Sequence, residues 1–178
     1  RIYVNDELNE LSKALEKNYE FVLLTDQDSR FEKLVLNEFI KDVYLKEKKN
    51  SKVAIYSMLP KDKEANIISK FYLRKSDKKF VSRRFSINSG SFIRVSAWAQ
   101  VGGYDEKLFI DKIDTDFCLS LISNRWEILQ SKVHIFSHTI GRPKRFLFGL
   151  IHYSSQNKFR HYHCMYSRIH IYKKSIKN

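Results

Sequence analysis

The sequence predicts an α/β domain with a parallel sheet. Apolar residues at helical spacing alternate along the chain with short apolar runs of strand length. Helices that alternate with strands are typical of βαβ units, whose strands are parallel. The length of 178 residues favours one domain, and a hydrophobic fraction of 43% is enough for a sizeable core.

The N-terminal part of the chain contains two predicted helices and two predicted strands. Helical spacing predicts helices over Asn5–Asn18 and Leu34–Lys46. Short apolar runs predict strands at Phe21–Leu24 and Val53–Met58, and Leu59-Pro60 is expected to end the second strand. The apolar positions are Leu8, Leu11, Ala14 and Leu15 in the first helix and Leu36, Phe39, Ile40, Val43 and Tyr44 in the second.

The polar stretch 61–84 is interpreted as an excursion or hairpin over the sheet. It is followed by Ile87–Val95, where Gly90 permits a turn or a close backbone approach to a ligand. A short helix is predicted over Trp98–Val101, and Gly102-Gly103 is expected to end it.

The next part of the chain combines an acidic stretch, a helix and two strands. Five acidic side chains lie between Asp105 and Asp116, and the apolar spacing that follows predicts a helix. Asp114 and Asp116 fall in its cap and first turn, where the helix dipole favours negative charge. Strands are predicted at Trp126–Leu129 and Lys132–Phe136.

The charge balance is strongly basic and uneven. Lys and Arg number 33 against 20 Asp and Glu, which gives a net charge of +13. This favours an anionic partner such as nucleic acid, phospholipid headgroups or a phosphorylated ligand. Glu127 is the last acidic residue, and a basic, aromatic tail begins at Arg142. Such a tail suits an anionic membrane surface or single-stranded nucleic acid, and a solvated helical face is the remaining alternative.

Cysteine spacing and hydropathy indicate the compartment. Cys118 and Cys164 fit no Cys-x-x-Cys spacing, so both are expected to be reduced residues of a cytosolic protein. No stretch approaches the roughly 20 apolar residues of a membrane span. The N-terminus lacks both an initiator Met and a signal-peptide pattern, which suggests a fragment or a processed chain.

Two carboxylates, Asp26 and Asp28, follow the strand predicted at Phe21–Leu24. Such a pair can hold Mg²⁺ or Mn²⁺ against a diphosphate, because hard cations prefer carboxylate oxygen. Open α/β sheets also bind ligands beyond the carboxyl ends of their strands. The alternative is a strand end with solvated turn carboxylates.

Asp114 and His138 are further candidates for chemistry. Asp114 can act as a general base on an acceptor hydroxyl, and helix capping is the competing interpretation. His138 can ligate a metal through a neutral imidazole nitrogen, although a lone histidine after a strand is more often structural.

Five segments occur in the order and spacing of a known family. They are Leu24-Thr-Asp-Gln-Asp-Ser29, Asn88-Ser-Gly-Ser-Phe-Ile93, Val101-Gly-Gly-Tyr-Asp-Glu-Lys-Leu-Phe-Ile-Asp111, Asp114-Thr-Asp-Phe-Cys-Leu119 and His138-Thr-Ile-Gly141. Together they resemble the family 2 glycosyltransferases of the GT-A fold, in particular the bacterial rhamnosyltransferase-like branch. The resemblance implies a partial GT-A domain over residues 1–141, with a mixed, mostly parallel sheet flanked by helices. It also implies a basic, aromatic helical segment over 142–178 that faces the membrane or the acceptor.

The resemblance also implies a set of site residues. Asp26, Asp28 and His138 would hold Mg²⁺ or Mn²⁺ against the diphosphate of a nucleotide sugar. Asp114 would be the base of an inverting displacement at the anomeric carbon. The implied donor- and acceptor-binding residues are Gln27, Ser89, Gly90, Ser91, Asp111 and Asp116.

The implied partners are a dTDP- or UDP-sugar donor and a glycan or lipid-linked acceptor. The implied role is cell-surface polysaccharide synthesis by an enzyme that is peripheral on the cytoplasmic face of the membrane. Nucleic acid is not a partner in this interpretation.

Two features depart from the family pattern. Ile113 stands where a Glu is usual before Asp114. The βα units that hold the nucleotide in the family are also missing, which at about 30 residues per unit corresponds to roughly 60 residues. The competing interpretations are therefore a basic nucleic-acid-binding or metal-dependent phosphodiester-cleaving protein and a catalytically silent GT-A fragment.

Overall fold

The computed structural model describes residues 11–49, 52–63, 68, 77–108, 112–138, 144–146, 151–153 and 158–177. The helices are α1 (residues 11–16), α2 (Lys33–Glu47), α3 (Val95–Gln100), α4 (Ile113–Ser123) and α5 (Lys158–Lys177). The strands are β1 (Phe21–Leu24), β2 (Val53–Asp62), β3 (Phe80–Ser82), β4 (Ser91–Arg94), β5 (Glu127–His138), β6 (Lys144–Phe146) and β7 (Ile151–Tyr153).

The main sheet has five strands in the order β1-β4-β2-β5-β3. It is mixed, as predicted, but the expectation of a mostly parallel sheet is wrong for the described strands. Only β2 and β5 pair in parallel, whereas β1–β4, β4–β2 and β5–β3 are antiparallel. The antiparallel direction of β4 is set at Gly90. The Gly90 N–H donates a hydrogen bond to the carbonyl of Leu24, the last residue of β1, and the Gly90 carbonyl accepts one from the N–H of Met58 in β2. Strand β4 therefore begins where β1 ends and runs back between β1 and β2.

Two strands are longer than the sequence predicts. Strand β2 does not end at Leu59-Pro60 but continues to Asp62. Strand β2 pairs with β4 only as far as Ser57. Pro60, which has no backbone N–H to donate, is therefore tolerated beyond that point. The two strands predicted on either side of Gln130 are one strand, β5, whose register with β2 shifts between Gln130 and Ile135. This irregularity is a β-bulge.

Helices cover both faces of the sheet. On one face α1, α3 and α4 bury a cluster that includes Leu11, Trp98 and Phe117. On the other face α2 buries Phe39 and Val43 against the sheet, as its predicted apolar face requires. Among the other predicted apolar positions of α2, Leu36 is partly buried against the same cluster. Ile40 and Tyr44 are exposed instead and border a cavity of about 290 Å³ beside β1 and β4.

Arg94, the last residue of β4, joins β2, α2 and the residue that precedes β1. Its buried guanidinium donates hydrogen bonds to the Val53 carbonyl at 2.8 Å and to Glu20 at 3.0 Å, and it forms a short ion pair with Glu47 of α2. Glu47 also accepts a 2.5 Å hydrogen bond from the Tyr56 hydroxyl. Arg94 therefore ties α2 to the centre of the sheet.

Half of the predicted excursion over 61–84 lies outside the described residues, and its end forms β3, which pairs antiparallel with β5. The predicted short helix is confirmed as α3, which begins at Val95, and Gly102 and Gly103 follow it at positive φ. The predicted Asn5–Asn18 helix is seen as α1 within the described residues.

The basic tail contains the predicted helix, α5, together with a two-stranded antiparallel sheet of β6 and β7 that the sequence did not indicate. Ser167 of α5 is fully buried, and the His170 Nε2 atom lies 2.8 Å from Asp105 Oδ2. These contacts seat α5 on the loop between α3 and α4. Among the described residues, no helix has both the length and the apolar composition needed to cross a bilayer.

Candidate metal and ligand site

The candidate site lies beyond the ends of β1 and β5. Asp26 and Asp28 follow β1 in an exposed turn, and His138 is the last residue of β5. Arg30 and Ser137 connect the two segments through a pair of backbone hydrogen bonds of 2.9 and 3.0 Å. This bridge holds the turn after β1 against the end of β5, so the two carboxylates and the imidazole meet.

The three side chains offer ligand atoms that all lie within 4.8 Å of one another. His138 Nε2 is 3.9 Å from Asp26 Oδ2, and His138 Nδ1 is 3.5 Å from Asp28 Oδ1. The side chains of Asp26 and Asp28 are 47% and 41% exposed, whereas that of His138 is 17% exposed. The carboxylates therefore face solvent, and the imidazole forms the floor of the site.

Two serine hydroxyls lie beneath this trio. Ser29 Oγ is 3.1 Å from His138 Nδ1 and 2.5 Å from Ser89 Oγ. Ser89, which is buried, also accepts a 3.2 Å hydrogen bond from the backbone N–H of Asp26. The hydroxyls hold both the imidazole ring and the start of the carboxylate turn, as groups behind a metal ligand commonly do.

Ser29 is a site residue that the sequence interpretation missed. Its position directly after Asp28 in Asp26-Gln-Asp-Ser29 was the available signal. Gln27 lies exposed between the two carboxylates, and Ser89 lies beneath Asp26. The roles of Gln27 and Ser89 in binding a donor or an acceptor stay predictions.

Gly90 has a φ of +73°, a value at which most side chains are strained. The sequence predicted a turn or a close backbone approach to a ligand at Gly90, and in the structure the group that lies close to Gly90 is the ring of Phe136. That ring stacks on Phe31 at a centroid distance of 5.0 Å. Gly90 thus lets the end of β5 lie close to the end of β1.

The electrostatics of the trio favour a cation. Partial burial raises the pKa of Asp26, the neighbouring His138 lowers it, and the negative charge of Asp28 raises it again. The two carboxylates therefore repel each other across a partly desolvated space. A divalent cation placed between them would relieve that repulsion.

Asp114 and Asp116 lie in the first turn of α4, as predicted, but neither of them caps the helix, because its N-cap residue is Lys112. Asp114 is half-buried and accepts a 2.8 Å hydrogen bond from the N–H of Thr115. The negative charge of Asp114 contributes to raising the pKa of Cys118. Cys118 contacts Ser86, whose Oγ lies 3.1 Å from Ser91 Oγ. The role of Asp114 as a base stays a prediction.

The remaining predicted ligand-binding residues are Asp116, Ser91 and Asp111. Asp116 and Ser91 are buried, and the Ser91 hydroxyl donates a 2.6 Å hydrogen bond to the Ile87 carbonyl. Their positions favour a structural contribution. Asp111 lies outside the described residues.

Comparison with known proteins gives one informative similarity. No protein-family model matches the chain. Over 122 residues, the chain is 31% identical to a Shigella flexneri protein named dTDP-rhamnosyl transferase RfbF. The match covers 62% of this chain and 39% of that protein, so the matched part is well under half of the relative's length.

Proposed function

We propose that this chain is the metal-binding and acceptor-binding part of an inverting glycosyltransferase, with a nucleotide sugar as donor and a glycan or lipid-linked acceptor. The observation that carries the proposal is the meeting of Asp26, Asp28 and His138 within 4.8 Å beyond β1 and β5. The similarity to a protein named dTDP-rhamnosyl transferase makes dTDP-rhamnose the donor to test first.

The donor set fits a hard or borderline divalent cation. Carboxylate oxygen suits Mg²⁺ and Mn²⁺, and the imidazole of His138 makes Mn²⁺ the better match. When bound by Asp26, Asp28 and His138, such a cation supplies positive charge to the diphosphate leaving group. Ser29 and Ser89 contact the imidazole and the carboxylate turn, and they would hold these groups in place for such a cation.

Asp114 is the proposed base. Its carboxylate would take the proton from the acceptor hydroxyl as the acceptor oxygen bonds to the anomeric carbon. The bond from that carbon to the nucleoside diphosphate breaks on the opposite side, so the configuration inverts. Its support is the half-buried position in the first turn of α4 and the resemblance of Asp114-Thr-Asp-Phe-Cys-Leu119 to the family motif.

Binding of the nucleotide with Mn²⁺ and transfer of the sugar are tested separately. Calorimetry with dTDP and Mn²⁺ should detect binding that depends on both components, and rhamnose transfer from dTDP-rhamnose is measured with the full-length protein. Asp26→Asn and Asp28→Asn should each lower Mn²⁺-dependent binding and transfer by about 100-fold or more. Asp114→Asn should abolish transfer and leave binding unchanged.

Asp77→Asn is the matched control, because Asp77 is an exposed carboxylate that takes no part in the trio. It should behave as the unmodified chain. Unchanged activity in Asp26→Asn or Asp28→Asn would refute the metal site. Absence of any heat with dTDP and Mn²⁺ would support a catalytically silent fragment.

A carboxylate–imidazole trio is also compatible with phosphodiester cleavage, which the basic net charge of +13 would favour. Incubating the same preparation with single-stranded oligonucleotides and Mn²⁺ distinguishes the two reactions. Cleavage that is lost in Asp26→Asn, without sugar transfer from any nucleotide sugar, would replace the proposal.

A further inference from the structure

Helix α5 presents an apolar and aromatic stripe to solvent. The stripe residues recur at intervals of one and three positions, which places them on one side of a helix with 3.6 residues per turn. Each of their side chains is between 41% and 67% exposed. They are Phe159, Tyr162, Met165, Tyr166, Ile169 and Tyr172.

The opposite side of α5 is the one seated on the rest of the protein. Ser167 is fully buried, His163 and Cys164 are half-buried, and His170 contacts Asp105 at 2.8 Å. The stripe is therefore held outward by contacts behind it. Its exposure of large apolar side chains exceeds what a solvated helix face requires.

The charge of α5 has one sign. The helix contains six Lys and Arg residues and no acidic residue, and Lys158, Arg160, Arg168 and Lys173 are exposed. Pairing of α5 with a second copy of itself would bring these cations together, which disfavours that partner. An anionic surface complements them.

The side chains of the stripe distinguish between two kinds of anionic partner. Single-stranded nucleic acid is bound through aromatic rings that stack on bases. Met165 and Ile169, which cannot stack in this way, lie within the stripe between Tyr162 and Tyr172. A bilayer interface accepts aliphatic and aromatic side chains together, with tyrosine hydroxyls directed to the headgroups.

We propose that α5 is an interfacial helix that lies flat on an anionic phospholipid bilayer, with the stripe inserted among the headgroups and its cations on the phosphates. A 20-residue helix is about 30 Å long, and the stripe runs over most of that length. The proposal does not depend on the metal site, because it concerns a different surface.

Sedimentation of the whole chain with vesicles tests it. Binding should be strong to phosphatidylcholine vesicles that contain about 30% phosphatidylglycerol, weak to pure phosphatidylcholine, and reduced by salt. Arg168→Gln/Lys173→Gln should weaken binding about 30-fold, given roughly fivefold per cation. Tyr162→Ser/Ile169→Ser should weaken it at least about tenfold.

Matched controls come from exposed positions of α2. Lys33→Gln/Lys41→Gln removes two cations, and Leu34→Ser/Leu45→Ser removes two apolar side chains. Both should bind vesicles as the unmodified chain does. Thermal unfolding checks that each variant is folded, and the charge pair and the apolar pair test the surface independently.

Three results would overturn the proposal. One is vesicle binding that the α5 and α2 variants affect equally. Another is oligonucleotide binding that is lost in the α5 variants while no vesicle binding is found. The third is a concentration-dependent dimer that disperses only in the α5 variants, again without vesicle binding, which would assign the stripe to a second copy of the chain.

Discussion

Phe136 packs its ring against Gly90 so closely that a Cβ at residue 90 would lie 2.5 Å from Phe136 Cε1. Gly90→Ala must therefore displace the ring as well as strain the backbone at a φ of +73°. We expect a loss of about 2–4 kcal/mol in the free energy of unfolding, measured by denaturant titration.

Gly102→Ala separates the two causes. Gly102 has a φ of +82°, but an added Cβ would meet no atom within 4 Å. This variant should lose only about 1–2 kcal/mol, from backbone strain alone. Equal losses in the two variants would contradict a role for the Phe136 contact.

The hydroxyl of Ser29 is expected to tune metal affinity. Ser29→Ala removes the contact with His138 Nδ1 and leaves Ser89 without its 2.5 Å neighbour. Calorimetric affinity for Mn²⁺ should fall about 10- to 100-fold, the usual effect of losing a group that orients a ligand. Ser96→Ala, at an exposed position of α3, should have no effect. Unchanged affinity in Ser29→Ala would remove Ser29 from the site.

Protonation of His134 at low pH should lower the free energy of unfolding. Burial lowers the pKa of His134 from 6.5, Asp42 opposes that shift, Lys79 adds to it, and Glu38 opposes it. The unfolded chain then binds the proton more readily, so the stability from His134 is complete above about pH 6.5 and is lost as pH falls through the folded-state pKa.

His134→Gln should reduce the pH dependence of unfolding. Between pH 7.5 and 5.5, the drop in the free energy of unfolding should shrink by up to about 1 kcal/mol relative to the unmodified chain. His161→Gln, at an exposed position of α5, should leave the drop unchanged. An identical drop in both variants would exclude His134 as the cause.

The two cysteines should differ in reactivity. Neither forms a disulfide, and burial raises the pKa of Cys118 to about 12, against a lowering contribution from Ser86 and a smaller raising one from Asp114. Cys164 is half-buried in α5. At pH 8, iodoacetamide should modify Cys164 at least about 100-fold faster than Cys118, because the thiolate is the reactive form.

Mass spectrometry of the single variants Cys118→Ser and Cys164→Ser measures the two rates separately. Similar rates at both positions would show that Cys118 is accessible. A mass change on adding reductant would contradict the expectation that both cysteines are reduced.

Local patterns predicted much of the fold. Helix α2 follows from its spacing of Phe39 and Val43, β1 from a short apolar run, and the turn before β4 from Gly90. The meeting of Asp26 and Asp28 with His138 followed from the family resemblance, because the residues alone gave no distance across 110 positions of sequence.

The direction of β4 and the length of β2 were not predictable from local patterns. Strand direction depends on which ends meet, here through the hydrogen bonds of Gly90 to Leu24 and Met58. Strand β2 can continue through Pro60 because, among the described strands, β4 pairs with β2 only as far as Ser57. This pairing is seen only in the assembled sheet. Ser29 was missed because its partners, Ser89 and His138, are distant in sequence.

The bulge in β5 decides which side of the sheet its last residues occupy. From Ser57 to Leu59, β2 advances two residues while β5 advances five, from Gln130 to Ile135. The excess is odd, so the alternation of side chains is inverted across the bulge, and Leu129 and Phe136 lie in the same cluster although one number is odd and the other even. His138 follows Phe136 by two residues, so the two side chains point to the same side of the sheet. The presence of an imidazole beside Asp26 is therefore set by the number of residues between Gln130 and Ile135, and deleting any single one of them would turn His138 to the other face.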